Sequence, residues 1–232
     1  LPNSSKIKVE VFKTEVNRKT KLEFNVNMGL LEDKKRARKF YRYFSKVYDR
    51  INPIFYAEHM LKTVVEMASL EENDFVLEVG CGTGFTTSGI AEKISQERII
   101  ALDLTPEQME KAIAKLPGVN FIRGDAENLP FKDDTFDASI SAGSIEYWPN
   151  PQKGISEMAR VTKPGGKVVI LAPRKPDNFL ARKFAEGIML FPSTQQCVAW
   201  FKAANLENIR IIETGPNWLW RKLVVIISGE VV

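Results

Sequence analysis

Three glycines at alternate positions and three acidic side chains carry the chemistry legible in this chain. Gly80, Gly82 and Gly84 follow the apolar run Phe75-Val76-Leu77-Glu78-Val79, and Thr86, Thr87 and Ser88 lead into what reads as the start of a helix. A buried strand, a glycine-rich turn and a helix N-terminus let backbone N–H groups approach a ligand closely. Glu78 precedes the first glycine, Asp103 ends the run Ile99-Ile100-Ala101-Leu102, and Asp125 follows Phe121-Ile122-Arg123-Gly124. In an open parallel sheet these positions share the crevice at the carboxyl ends of the strands. An acid at the end of the second strand suits ribose hydroxyls, and one after the third suits an exocyclic amine. Phe85 stands where a dinucleotide fingerprint needs its third glycine, and no lysine follows the glycines in the manner of a P-loop. The set therefore suits an adenosine without a phosphate chain, with Glu78 ordering the loop and favouring a cationic ligand through water or backbone. Taken singly, Glu78 also reads as a loop brace and Asp125 as a cap or turn residue.

These residues must be positioned by alternating strands and helices, the signature of a parallel sheet covered on both faces. The apolar runs predict strands over 75–79, 99–102, 119–123, 136–141, 167–172, 209–213 and 223–228. Helices are predicted over 86–95, 106–115, 151–161, 178–190 and 194–204. Thr105 reads as an N-cap before Pro106 at the first helical position. Pro164-Gly165-Gly166 reads as a tight turn into the fifth strand. The connection between the last two strands is too short for a crossover helix, so they are expected to pair antiparallel.

Before Asp74 the pattern differs. Ile7, Val9 and Val11 alternate with charged residues, as do Leu22, Phe24 and Val26 with polar ones, which predicts an antiparallel hairpin within an extension over 1–30. Residues 31–70 read as a helical cap on the main domain, 31–232. Its first helix is basic and aromatic, with Phe40, Phe44, Val47, Tyr48 and Ile51 on one face, and Asn52-Pro53 stops it. Cations and aromatics on one amphipathic helix suit an anionic bilayer surface over 34–50, although a solvated face has the same composition. A second helix is expected from about Phe55 to Ser69, with Leu61, Val64, Val65 and Ala68 inward.

A chain of 232 residues supports one sizeable core, and 44% apolar with 27% charged residues is the composition of a folded domain. A net charge of +4 is too mild for a dedicated nucleic-acid binder, so no nucleic-acid partner is expected. Two cysteines are too few for a disulfide framework and fit a reducing compartment. No apolar run reaches the roughly 20 residues of a membrane span. The expected location is cytoplasmic, with peripheral contact at the inner membrane face. No metal-ligand cluster is apparent, and the sequence does not give an oligomeric state.

The segments 78–84, Asp103, 124–131 and 164–166 resemble the motifs of class I S-adenosylmethionine-dependent methyltransferases. The resemblance implies an α/β fold, a Rossmann-like, doubly wound sheet of seven strands, mostly parallel with an antiparallel last strand. It implies S-adenosyl-L-methionine as cofactor. Carried over, Gly80 and Gly82 flank the methionine part, Asp103 binds the ribose, Leu104 packs on the adenine, and Asp125 with Ala126 binds the adenine edge. Ser141, at the end of the fourth strand, would lie next to the transferable methyl, and Tyr48 would close over the methionine end.

Acceptor chemistry is read after the fourth strand, in Ser141-Ala142-Gly143-Ser144-Ile145-Glu146-Tyr147-Trp148-Pro149. The Asn/Asp-Pro-Pro-aromatic run of enzymes that methylate adenine or glutamine amino groups is absent. The segments 40–53, 141–149, 151–154, 189–192 and 215–218 resemble the plant and cyanobacterial methyltransferases of 2-methyl-6-phytyl- and solanesyl-1,4-benzoquinol. That resemblance implies C-methylation of a hydrophobic prenylquinol in isoprenoid quinone and tocopherol-type biosynthesis. The apolar stretch 179–191 would roof a tunnel for the prenyl tail, though it reads equally as a core-facing helix. Removing a quinol proton requires a base within hydrogen-bond reach. Glu146 and Tyr147 are the residues expected to serve, with His59 and Asp49 behind them. Two other readings share the motifs: a small-molecule or lipid O- or N-methyltransferase, and a non-catalytic cofactor-binding subunit docked through its N-terminal hairpin.

Overall fold

A computed structural model describes residues 58–175, 191–215 and 223–232. The expected N-terminal hairpin, the basic helix with Tyr48 and Asp49, and the apolar helix over 178–190 lie outside the described residues.

The described chain runs α1 (Glu58–Ala68), β1 (Val76–Val79), α2 (Phe85–Ala91), β2 (Ile99–Asp103), α3 (Pro106–Lys115), β3 (Asn120–Arg123), β4 (Phe136–Ala142), α4 (Pro151–Val161), β5 (Thr162–Pro173), α5 (Thr194–Ala203), β6 (Leu206–Thr214) and β7 (Val224–Val231). Short 3₁₀ turns cover Gln96–Arg98 and Ile145–Tyr147. The strands form one seven-stranded sheet in the order β3-β2-β1-β4-β5-β7-β6. β1 pairs in parallel with both β2 and β4, β2 with β3, and β4 with β5. β7 runs antiparallel between β5 and β6, as the short connection between the last two strands predicts.

The pleat divides the strand residues between two cores. Leu77, Val79, Ile100, Leu102, Phe136, Val168, Ile170 and Ile227 pack with Ile155 and Met158 of α4 and Phe201 of α5. Val76, Ile99, Ala101, Ala138, Ile140, Val169, Leu171 and Ile226 pack with Met60 and Val64 of α1, Ile90 of α2 and Met109 of α3. Consecutive residues of one strand thus enter opposite cores, which is why Ile99–Leu102 of β2 and Val168–Ala172 of β5 read as unbroken apolar runs. Each Val, Leu, Ile, Phe or Met among them, once buried, contributes about 1.5–3 kcal/mol. The inward residues expected for α1 are all buried.

Two local expectations change. Thr105 occupies the cap position of α3 but makes no side-chain capping bond; its backbone N–H donates to Asp103 Oδ1. Pro164-Gly165-Gly166 is a bulge inside β5 rather than a turn before it: Thr162 pairs with Phe136 and Lys167 with Ala138. Gly165 takes φ 80° there, a left-handed backbone with nothing within 4 Å of its would-be Cβ.

Chain order reverses at β1, whose neighbours are β2 and β4. A crevice opens at the carboxyl ends of the strands at such a point.

Candidate functional site

The loop after β1 is built from its backbone outward. The N–H groups of Gly80 and Cys81 both donate to the carbonyl of Leu102, at 2.7 and 3.1 Å, which straps the loop across β2. The N–H of Gly82 donates to Asp103 Oδ2 at 2.8 Å, and that of Thr105 to Oδ1 at 2.8 Å. Asp103 therefore orders two loops at once. Burial pushes its carboxyl above the ordinary range, and the N–H donors of Thr105 and Gly82 oppose that shift. Gly84 enters α2 with φ 82°, and a Cβ there would stand 2.8 Å from the Cβ of Ala112 on α3. Only glycine lets the two helices approach this closely.

Glu78 lies behind the loop. It is 1% exposed, and its Oε2 accepts the hydroxyl of Thr87 on α2 at 2.5 Å. Burial pushes its carboxyl up to about 8, with the nearby Asp103 charge adding to the rise and the Thr87 bond opposing it. Burial thus favours the neutral acid over the carboxylate. Burial, then the charges of Asp103 and Glu78, raise the Cys81 thiol well above its ordinary value, which makes it an inert wall group rather than a nucleophile.

Asp125 sits in the turn after β3. Its Oδ1 accepts the N–H of Glu127 at 3.0 Å. That turn and the chain beyond it are tied to α4. Arg160 donates to the carbonyls of Phe131 at 2.9 Å and Leu129 at 3.1 Å, and pairs with Glu157 and Asp133. Glu157 in turn accepts the N–H of Leu129 at 2.8 Å, and Glu127 that of Asn150 at 2.8 Å.

The third wall follows β4. Gly143, at φ 65°, turns the chain into the segment Ser144–Trp148. The indole N–H of Trp148 donates to Ser144 Oγ at 2.9 Å. The Trp148 ring packs against Gly154 of α4, where a Cβ would come within 2.4 Å of it. Asn150 caps α4, its Oδ1 accepting the Lys153 N–H at 3.1 Å, with Pro151 at the first helical position.

These three walls enclose one cleft of about 930 Å³, counting its open mouth. Gly80, Gly82, Asp103, Leu104, Asp125, Ala126 and Tyr147 line it, all named from the sequence. Four expected residues lie off the cleft wall, Glu78 among them, buried behind the loop. Ser141 is fully buried and absent from the cleft wall, because β4 runs on to Ala142 and the pleat turns Ser141 inward. Glu146 is 1% exposed and stays inside the 3₁₀ turn, leaving Tyr147 on the cleft side. His59 is exposed on the outer face of α1, away from the cleft wall. The sequence reading missed Thr83, Thr86, Gln108, Ser144 and Trp148 on the wall, although Ser144 and Trp148 stand in the segment it singled out. Among the described residues no group of three or more His, Cys, Asp or Glu is placed to hold a metal, and no helix is long and apolar enough to cross a membrane.

A glycine loop after β1, an acid ending β2, an acid in the turn after β3 and the segment after β4 thus line one cleft. Residues 77–170 match the family model described as a methyltransferase domain. The matched stretch includes every residue that lines the β1–β4 crevice. The chain is 46% identical over 192 residues to 2-methyl-6-phytyl-1,4-hydroquinone methyltransferase 1 of Oryza sativa, covering 81% of this chain and 58% of that protein. The enzyme of the same name from Arabidopsis thaliana is 43% identical over 192 residues, covering 81% and 57%. The chain thus spans a little over half the length of these relatives. A Demethylmenaquinone methyltransferase of Staphylococcus epidermidis is 31% identical over 150 residues, covering 62% of each. Among solved structures, a putative methyltransferase in complex with the Haloferax volcanii Trm112 activator superposes with a TM-score of 0.73 at 21% identity, over 84% of this chain and 96% of that one. Phosphoethanolamine N-methyltransferase 2 of Haemonchus contortus, solved with S-adenosyl-L-methionine, gives 0.68 at 14% identity, over 83% and 59%. The fold is the Rossmann-like α/β fold of these methyltransferases.

Proposed function

We propose that this chain transfers a methyl group from S-adenosyl-L-methionine to a ring carbon of a prenylated hydroquinone. The observation that carries the reading is the convergence, in one cleft, of the Gly80–Gly84 loop, Asp103, Asp125 and the segment Ser144–Trp148. The likeness to phytyl-hydroquinone methyltransferases supports the acceptor class.

The residues present fit an adenosyl sulfonium. Asp103 has acceptor capacity for ribose hydroxyls, Leu104 offers apolar surface to the adenine, and Asp125 with Ala126 meets its edge. The left-handed turns at Gly80 and Gly82 keep side chains off the floor where the methionine part would lie. When bound, the cofactor supplies an electrophilic methyl on sulfur. The chain contributes alignment and exclusion of water, which suffice for an activated donor. Trp148, braced by Ser144 and Gly154, shapes the acceptor side. The Tyr147 hydroxyl is the group we assign to hold the oxygen of the ring undergoing methylation. Glu146, buried in the 3₁₀ turn, supports that segment rather than meeting the acceptor. We read the basic aromatic sequence over 34–50 as the contact with an anionic bilayer in which a prenylated substrate resides.

The test is incubation with labelled S-adenosyl-L-methionine and a panel of prenylated benzoquinols and naphthoquinols. Label in the organic extract, located on a ring carbon by mass spectrometry, supports the reading. Methylation on oxygen moves the chain to the O-methyltransferases, and absence of turnover with the whole panel overturns the acceptor assignment.

A further inference from the structure

We propose that Gln108 is a ligand-binding residue of the cleft, accepting a hydrogen bond from a ribose hydroxyl of the cofactor beside Asp103. The proposal rests on the cofactor reading above and adds a residue that no motif identified. Gln108 occupies the first turn of α3 and lines the cleft, yet it is only 4% exposed. Its Oε1 is buried and has no hydrogen-bond partner among the described residues. Buried side-chain oxygens are almost always paired, so an orphan on a cleft wall points to a partner that arrives with the ligand.

The surroundings define that partner. Gln108 Oε1 lies over Gly82, where a Cβ would be 3.4 Å away. The Gly82 N–H is already committed to Asp103 Oδ2, so Gln108 is not bracing the loop. The other buried positions of α3 are Met109 and Ala112, so packing alone would be served by an apolar side chain. The unpartnered Oε1 is an acceptor, so the partner it calls for is a donor such as a hydroxyl. Asp103 and Gln108 therefore flank Gly82 as two acceptors. A vicinal diol presents two donors, and a ribose is the part of an adenosyl ligand that carries one.

The experiment is calorimetric titration of the wild type and Gln108→Met with S-adenosylhomocysteine and with its 2′-deoxy and 3′-deoxy analogues, alongside melting of the ligand-free proteins. We expect Gln108→Met to bind the ribonucleoside about tenfold more weakly, the scale of one lost hydrogen bond. It should also lose the discrimination against one of the two deoxy analogues, while the ligand-free variant melts no lower than the wild type. Unchanged discrimination against both analogues, or a lowered melting temperature with unchanged affinity, overturns the proposal and assigns Gln108 a packing role. If the wild type binds none of the three nucleosides, the cofactor reading itself fails and this inference with it.

Discussion

Gly80 and Ser144 touch across the cleft: a Cβ built on Gly80 would stand 2.0 Å from Ser144 Oγ and 2.3 Å from its Cβ. Through this contact the loop after β1 and the segment after β4 set each other's position. Ser144 holds the Trp148 indole, so the shape of the acceptor side depends on a glycine in the cofactor loop.

Gly80→Ala should therefore disturb both sides of the cleft. Its φ of 80° alone costs about 1–2 kcal/mol for a residue with a Cβ, and the clash with Ser144 adds to that. We expect lower stability in urea and at least tenfold weaker S-adenosylmethionine binding. Adding Ser144→Gly should restore the part due to the clash and leave the backbone strain. Equal stability of the single and double variants would show that the contact is not tight.

Asp103→Ala removes one acid with two duties. Binding of S-adenosylmethionine should weaken by about 1–3 kcal/mol, the scale of a lost hydrogen bond to a charged group. The ligand-free protein should also melt lower, because the N–H groups of Gly82 and Thr105 lose their acceptor. A dissociation constant unchanged by calorimetry would remove Asp103 from the binding site.

Glu78 ties stability to pH. Its carboxyl is raised from 4.5 to about 8 in the fold, so between these values the folded state holds a proton that the unfolded chain has released. Its stabilising contribution is complete below about pH 4.5 and is lost as pH rises through 8. Glu78→Gln should flatten that decline, which amounts to a few kcal/mol in order of magnitude. Urea titrations at pH 5, 7 and 8.5 would test this, and parallel pH dependence in both proteins would contradict it.

Arg160 holds the turn that carries Asp125 without touching the cleft. Arg160→Met should cost about 1–3 kcal/mol in stability, since the carbonyls of Leu129 and Phe131 lose their donor. Its pair with Asp133 adds little to this, that partner being 71% exposed, whereas the two-point pair with Glu157, 19% exposed, adds to the loss. Affinity for adenosine-containing ligands should fall with it, and hydrogen exchange over 125–131 should accelerate. Unaltered exchange there would show that the turn stands without Arg160.

Tyr147→Phe tests the acceptor side separately. We expect kcat with a prenylated hydroquinone to drop by about tenfold to a hundredfold while S-adenosylmethionine affinity is retained. An unchanged kcat and pH profile would remove the hydroxyl from the reaction.

Much of this was legible in the residues themselves. Unbroken apolar runs such as Ile99–Leu102 mark strands buried on both faces, and Pro106 and Pro151 mark helix starts at their first positions. Gly80, Gly82, Asp103 and Asp125 were readable because strand ends in a parallel sheet converge on one crevice whatever the rest of the chain does. Residues near β4 were harder. Ser141, Glu146 and Tyr147 lie within a few positions of one another, and a single residue of pleat or turn decides which of them reaches the cleft.

The sequence by itself determined the alternating strands and helices and the meeting of the glycine loop with Asp103 and Asp125 at one end of the sheet, since these follow from periodicity, glycine placement and charge at strand ends. Only the tertiary structure decided which side chains meet. It turned Ser141 and Glu146 inward, set Gln108 over Gly82 without a partner, and closed Ser144 against Gly80. The reason is physical: periodicity fixes the face of an element, but contact between elements depends on helix docking and loop geometry, where shifts of about an ångström decide whether atoms meet.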